Sequence, residues 1–145
     1  MLSMAPPNNP VLRAALERYA RAGREQDTAE LLQLFGDKKS TVLFPVRIVD
    51  KSGRQPPEKP TFIDPELGRL VHVHTMRGEL PKYNGEYAAL TCTVLDLMGD
   101  LLLGEDVGVV FDPGTDHAVY FRFTGPQWVV RTVRSLRAEK RAQAN

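Results

Sequence analysis

The apolar residues of this chain change their spacing near residue 40, and that change constrains the fold more than any other feature. Before it, Val11, Leu12, Ala15, Leu16 and Tyr19 recur at the spacing of one helical face, with Arg13, Glu17, Arg18 and Arg21 mostly on the other side. Asn9 is a good N-cap for this helix, Pro10 suits its first position, and Gly23 suits its stop. Asp27 and Glu30 resemble a capping box for a second short helix, whose apolar residues Leu31, Leu32, Leu34 and Phe35 precede Gly36. After residue 40 the signal becomes β-branched and aromatic. Thr41-Val42-Leu43-Phe44-Pro45-Val46 reads as a buried strand, with Pro45 marking an edge or an end.

The remaining chain alternates between the two patterns. Residues 49–59, with Lys51, Ser52, Gly53, Arg54, Pro56 and Pro57, read as an exposed loop. Residues 70–74 form a second expected strand, introduced by Gly68. Thr75 can cap a short helix ending near Tyr83, before a turn at Asn84-Gly85. Thr93 precedes Val94, Leu95, Leu97, Met98, Leu101 and Leu102, a helix with a wide apolar face. Residues 107–111 and 118–123 read as two strands of a hairpin joined through Pro113-Gly114. On the second of them, Val119, Phe121 and Phe123 share one face and Tyr120 and Arg122 the other. Gly125-Pro126 ends that unit, and a final helix is expected over 127–142.

This order predicts an α/β (mixed α+β) single domain, with a mixed four- to five-stranded sheet packed by helices and a basic C-terminal helix. Residues 1–7 are expected to be a flexible N-terminus, 8–126 the domain proper and 127–145 the C-terminal helix. A chain of 145 residues with 42% hydrophobic residues and a net charge of +1 can bury one core, which argues against a disordered class. The single cysteine, Cys92, excludes an intrachain disulfide. Without a CxxC or Cys/His cluster no zinc site is predicted, and the apolar neighbours of Cys92 predict a buried, inert thiol. The opening Met1-Leu2-Ser3-Met4-Ala5-Pro6-Pro7 lacks the basic and apolar regions of a signal peptide. The most apolar stretch, 88–111, is interrupted by Asp96, Asp100, Glu105 and Asp106, so no membrane span and a cytoplasmic address are expected.

Four segments, taken in order, resemble a known family. They are the helix opening Asn9-Pro10-Val11-Leu12, the strand ending in Pro45-Val46, the strand Val71-His72-Val73-His74-Thr75, and the run Gly108-Val109-Val110-Phe111-Asp112-Pro113-Gly114-Thr115-Asp116. Together they resemble the N-terminal domain of the SseB-like family, the bacterial domain linked by name to enhanced serine sensitivity, over residues 8–123. His74 replaces the family's usual aromatic, and Asp112 stands where asparagine is common. The resemblance implies no established catalytic residues. It implies interaction or immunity-type roles beside bacterial secretion and toxin systems.

Three groups of residues were candidates for chemistry. His72 and His74 alternate on a strand, so their imidazoles share a face and, with His117 and Asp116, offer metal ligands; a metal-dependent enzyme is the alternative this supports. Asp112-Pro113-Gly114-Thr115-Asp116-His117 offers Asp116 and His117 as an acid/base pair, although each residue type is also what a tight turn requires. The final helix places Arg131, Arg134, Arg137 and Arg141 beside an apolar stripe of Val129, Val133 and Leu136. Residues 128–145 hold five Lys/Arg against one Glu, while the rest of the chain holds 14 against 17. The expected function is a non-catalytic protein-interaction module, with Arg131, Arg134, Arg137, Asp112, Asp116 and His117 facing an acidic protein partner. No cofactor and no metal are expected in that reading. Binding of nucleic-acid phosphates by the same helix is the second alternative.

Overall fold

The computed structural model describes residues 8–47, 49–55, 58, 60–78, 87–101, 107–123 and 128–144. The expected N-terminal arm, the helix end near Tyr83, the Asn84-Gly85 turn and the Gly125-Pro126 break lie outside the described residues.

Helix α1 (Pro10–Ala22) is closed at both ends as its sequence predicts. The Asn9 side chain accepts the Leu12 amide at 3.0 Å, and Gly23 turns left-handed at φ 59° while donating its N–H to Tyr19. Asn9 also anchors the helix to the sheet region. Its backbone N–H donates to the Thr75 carbonyl at 2.8 Å, and its Nδ2 donates to Thr41 O at 2.8 Å and Ser40 Oγ at 3.1 Å. Helix α2 (Glu25–Phe35) begins three residues earlier than Asp27 capping would place it. Arg24 is the N-cap residue, and Asp27, one turn in, accepts the Arg24 backbone N–H at 3.1 Å. The carboxylate therefore acts as the N3 member of the cap, accepting the N-cap amide, instead of serving as the N-cap itself.

Two sheets follow. Strands β1 (Thr41–Arg47) and β4 (Tyr87–Thr93) pair antiparallel. Strands β2 (Phe62–Asp64), β3 (Gly68–Val73), β5 (Gly108–Phe111), β6 (Val119–Phe123) and β7 (Trp128–Thr132) form a five-stranded sheet in that order. Only β3 and β5 run parallel, so the sheet is mixed. Leu43 and His74 exchange backbone bonds of 2.8 and 2.9 Å, which brings β1 to the end of β3. Leu43 and Arg47 both donate away from β4. By alternation Pro45 faces that same side, so its missing N–H costs the β1–β4 ladder nothing.

The main core lies on one face of the larger sheet. Val71, Val73, Val109, Phe111, Val119 and Phe121 meet Leu12, Leu16 and Phe35 from the helices and Val42 and Phe44 from β1. Phe35 stacks on Phe111 at 4.8 Å between ring centroids and meets Phe121 edge-on at 4.9 Å. Helix α3 (Val94–Leu101) adds Val94 and Leu97. Its first turn is capped by Thr93, whose hydroxyl accepts the Asp96 amide at 3.1 Å. On the other face Leu67, Leu70, Val110, Ala118 and Tyr120 make a smaller cluster against Val133 and Leu136 of helix α4 (Val133–Ala144).

Three readings need correction. Strands β2 and β4 are present where no strand was expected, and Cys92 on β4 is half-buried against the core rather than enclosed. Residues 128–132 are a strand and not the start of the last helix, which begins at Val133. The reason is tertiary: β7 pairs with the free edge of β6 from Phe123↔Trp128 to Val119↔Thr132. That ladder outweighs the helical spacing of the arginines. No described helix is long and apolar enough to cross a membrane.

Candidate interaction surface

The turn between β5 and β6 is built on one buried carboxylate. Asp112 has no exposed surface and sits at φ 52°, a left-handed conformation that aspartate tolerates better than most residues. Its carboxylate accepts three hydrogen bonds: Thr75 N to Oδ1 at 2.7 Å, Thr75 Oγ1 to Oδ2 at 2.6 Å, and His117 Nε2 to Oδ2 at 2.8 Å. Its backbone N–H donates to Val73 O at 2.8 Å, and its carbonyl accepts the Thr115 hydroxyl at 2.7 Å. Gly114 completes the turn at φ 80°.

The acid/base pair that sequence spacing offered was Asp116 with His117. The histidine instead partners Asp112, while Asp116 points outward, with its side chain fully exposed. Thr75, expected only as a helix cap, is the third member of the buried cluster. No local sequence signal marks it, because the contact spans 37 positions.

The basic stripe also divides. Arg131 lies on β7 and reaches Glu139 at 2.6 Å. Arg137 clamps Asp64 at 2.7 and 3.0 Å and Glu66 at 3.0 Å, and Arg141 adds a 3.1 Å bond to Glu66. The Arg137 guanidinium holds the Asp64 carboxyl down at about 2. These contacts fasten α4 to the β2–β3 turn and occupy most of the positive charge expected to face outward. Among the four arginines Arg134 is the exception: its side chain is 75% exposed, and its carboxylate contact, to Asp116, is a loose 3.6 Å.

Arg134 stands at the rim of a cleft of about 300 Å³, lined by Glu17, Ala20 and Arg21 of α1, by Asp116 and His117, and by Arg134 itself. Of the six residues first expected to meet a partner, the fold gathers Asp116, His117 and Arg134 here, with Asp112 as the buried support of His117. Arg131 and Arg137 serve α4. Arg21 and Glu17 belong to the cleft and were not candidates. They sit one helical turn apart, and only the packing of α1 beside the turn brings them in.

The other histidines lie in the β3 region. His72 stacks on Phe62 at 4.3 Å with rings 9° apart, and burial, reinforced by His74, pushes its pKa down to about 4. His74 is buried beside the β1 bridge. Among the described residues no three His, Cys, Asp or Glu side chains form a metal-holding group. Comparison of the chain with protein-family models, with curated proteins and with solved structures gives no match in any of the three.

Proposed function

We propose that the chain is a non-catalytic protein-interaction module of SseB-like type, an accessory or immunity-type factor of a bacterial secretion or toxin system. Its docking face is the rim formed by the β5–β6 turn and the first turn of α4, and its partner presents an acidic surface. The observation that carries this reading is the contrast among the arginines. Arg131, Arg137 and Arg141 are held at 2.6 to 3.1 Å by carboxylates of the same chain, whereas Arg134 projects with only a loose, exposed counter-ion. A cation left open on a rigid support suits recognition, since no internal bond has to break before a partner binds.

The buried cluster supports a scaffolding role for the turn. The Thr75 hydroxyl donates to Asp112 and is thereby engaged in structure rather than poised as a nucleophile. The paired arginines speak against a phosphate-tracking stripe, because three of the four are already neutralised by neighbours.

The test is capture of partners from the native host with the wild-type chain and with Arg134→Glu. A specific partner retained by the wild type, released by the reversal and weakened by salt is the expected result. Equal retention by both proteins removes this face from the function.

A further inference from the structure

We propose that the cleft beside Arg134 is a receptor for one carboxylate side chain of the partner, held between the guanidiniums of Arg21 and Arg134 and against the imidazole of His117. The inference rests on the docking role proposed above and specifies its chemistry.

Three features converge on this assignment. Arg134 and Arg21 enter the cleft from different elements, α4 and α1, and so can grip one anion from two sides. The present counter-ion of Arg134 is poorly placed: 3.6 Å is long for a charge-assisted hydrogen bond, and the Asp116 side chain is fully exposed. An incoming carboxylate therefore replaces Asp116 at little cost. His117 is held in one orientation because Asp112, accepting two further donors from Thr75, fixes the proton on Nε2. Imidazole geometry then puts Nδ1 across the ring from Asp112, and His117 is among the residues that line the cleft.

The charges facing His117 are Asp112 and Asp116 from the turn, Glu17 and Arg21 from α1, and Arg134 from α4. With two carboxylates already lining the cleft, its net charge is small. Ala20, the small residue of the lining, adds little bulk to the cleft of about 300 Å³.

The experiment is an NMR titration of the ¹⁵N-labelled chain with acetylated and amidated Gly-Gly-Glu-Gly-Gly, and with its Gln counterpart. The Glu peptide is expected to shift the amides of residues 112–117 and of Arg134 and to bind about tenfold more tightly than the Gln peptide. Arg134→Gln abolishes that preference. Asp116→Asn strengthens binding, because the competing carboxylate is gone. Equal binding of the two peptides, a preference that survives Arg134→Gln, or weaker binding to Asp116→Asn each overturns the assignment. If the peptides fail while Arg134→Glu still releases a captured partner, only the carboxylate receptor falls. If no captured partner depends on Arg134, the docking role falls as well.

Discussion

The Nε2 of His117 lies 2.8 Å from the Oδ2 of Asp112, five residues earlier in the chain, and the carboxylate it meets has no exposed surface. This contact closes the β5–β6 turn from inside, and the Thr75 bonds tie the same carboxylate to the end of β3.

Removing that carboxylate strands three donors in the interior. Asp112→Ala is expected to destabilise the fold by about 3 kcal/mol, the scale of a broken buried charged network. Asp112→Asn keeps the acceptor for the Thr75 amide and tolerates the left-handed backbone, so its cost is about 1–2 kcal/mol. Urea unfolding of both variants checks the order; equal losses would show that the charge, not the hydrogen-bond geometry, is what matters.

The Arg137 clamp predicts an acid-sensitive helix. Asp64 is held at about 2 against an ordinary 3.8, so the unfolded chain takes up protons before the folded one does. The stabilisation is complete above pH 3.8 and disappears as the pH falls toward 2. With Arg137 one-third exposed, screening limits its worth to about 1 kcal/mol. Hydrogen exchange should show α4 amides opening faster in Arg137→Ala, with β5 and β6 unchanged.

His72 acts in a higher window. Its folded value of about 4 lies below the ordinary 6.5, so between those limits the unfolded chain holds more protons. Stability is full above pH 6.5 and declines as the pH drops toward 4, by about 2 kcal/mol after allowance for partial exposure. His72→Phe, which keeps a ring against Phe62, should flatten that part of the profile in urea midpoints measured at several pH values.

Gly108 is required by packing rather than by its backbone angle. A Cβ there would strike the ring of Tyr120, 5% exposed in the second cluster. Gly108→Ala is expected to cost about 1–3 kcal/mol, and Tyr120→Leu in the same chain should recover part of it. Thermal melts of the single and double variants provide the comparison.

Where local chemistry suffices, the residues themselves wrote the outcome. Asn9, Pro10 and Gly23 bound α1, Thr93 caps α3, and Pro113-Gly114 joins β5 to β6, because a cap or a turn is decided by neighbours a few positions apart. The buried face of α1 follows in the same way from its periodicity, except for Val11, which is 62% exposed. Strands β2, β4 and β7 escape a reading by spacing. Trp128-Val129-Val130 is a β-branched and aromatic run that the helical spacing of the arginines masks, while β2 and β4 are decided by pairing with β3 and with β1, tens of residues away in the case of β4.

The candidate site divides along the same line. The sequence by itself determined that residues 112–117 form a tight turn and that positive charge concentrates in residues 128–145. Only the tertiary structure decided that Asp112 is the histidine's partner, that Asp64, Glu66 and Glu139 consume three arginines, and that Arg134 and Arg21 line one cleft. Ion pairs and buried hydrogen bonds depend on distances of a few ångströms between elements, and spacing along a chain does not encode those distances until the sheet and helices have packed.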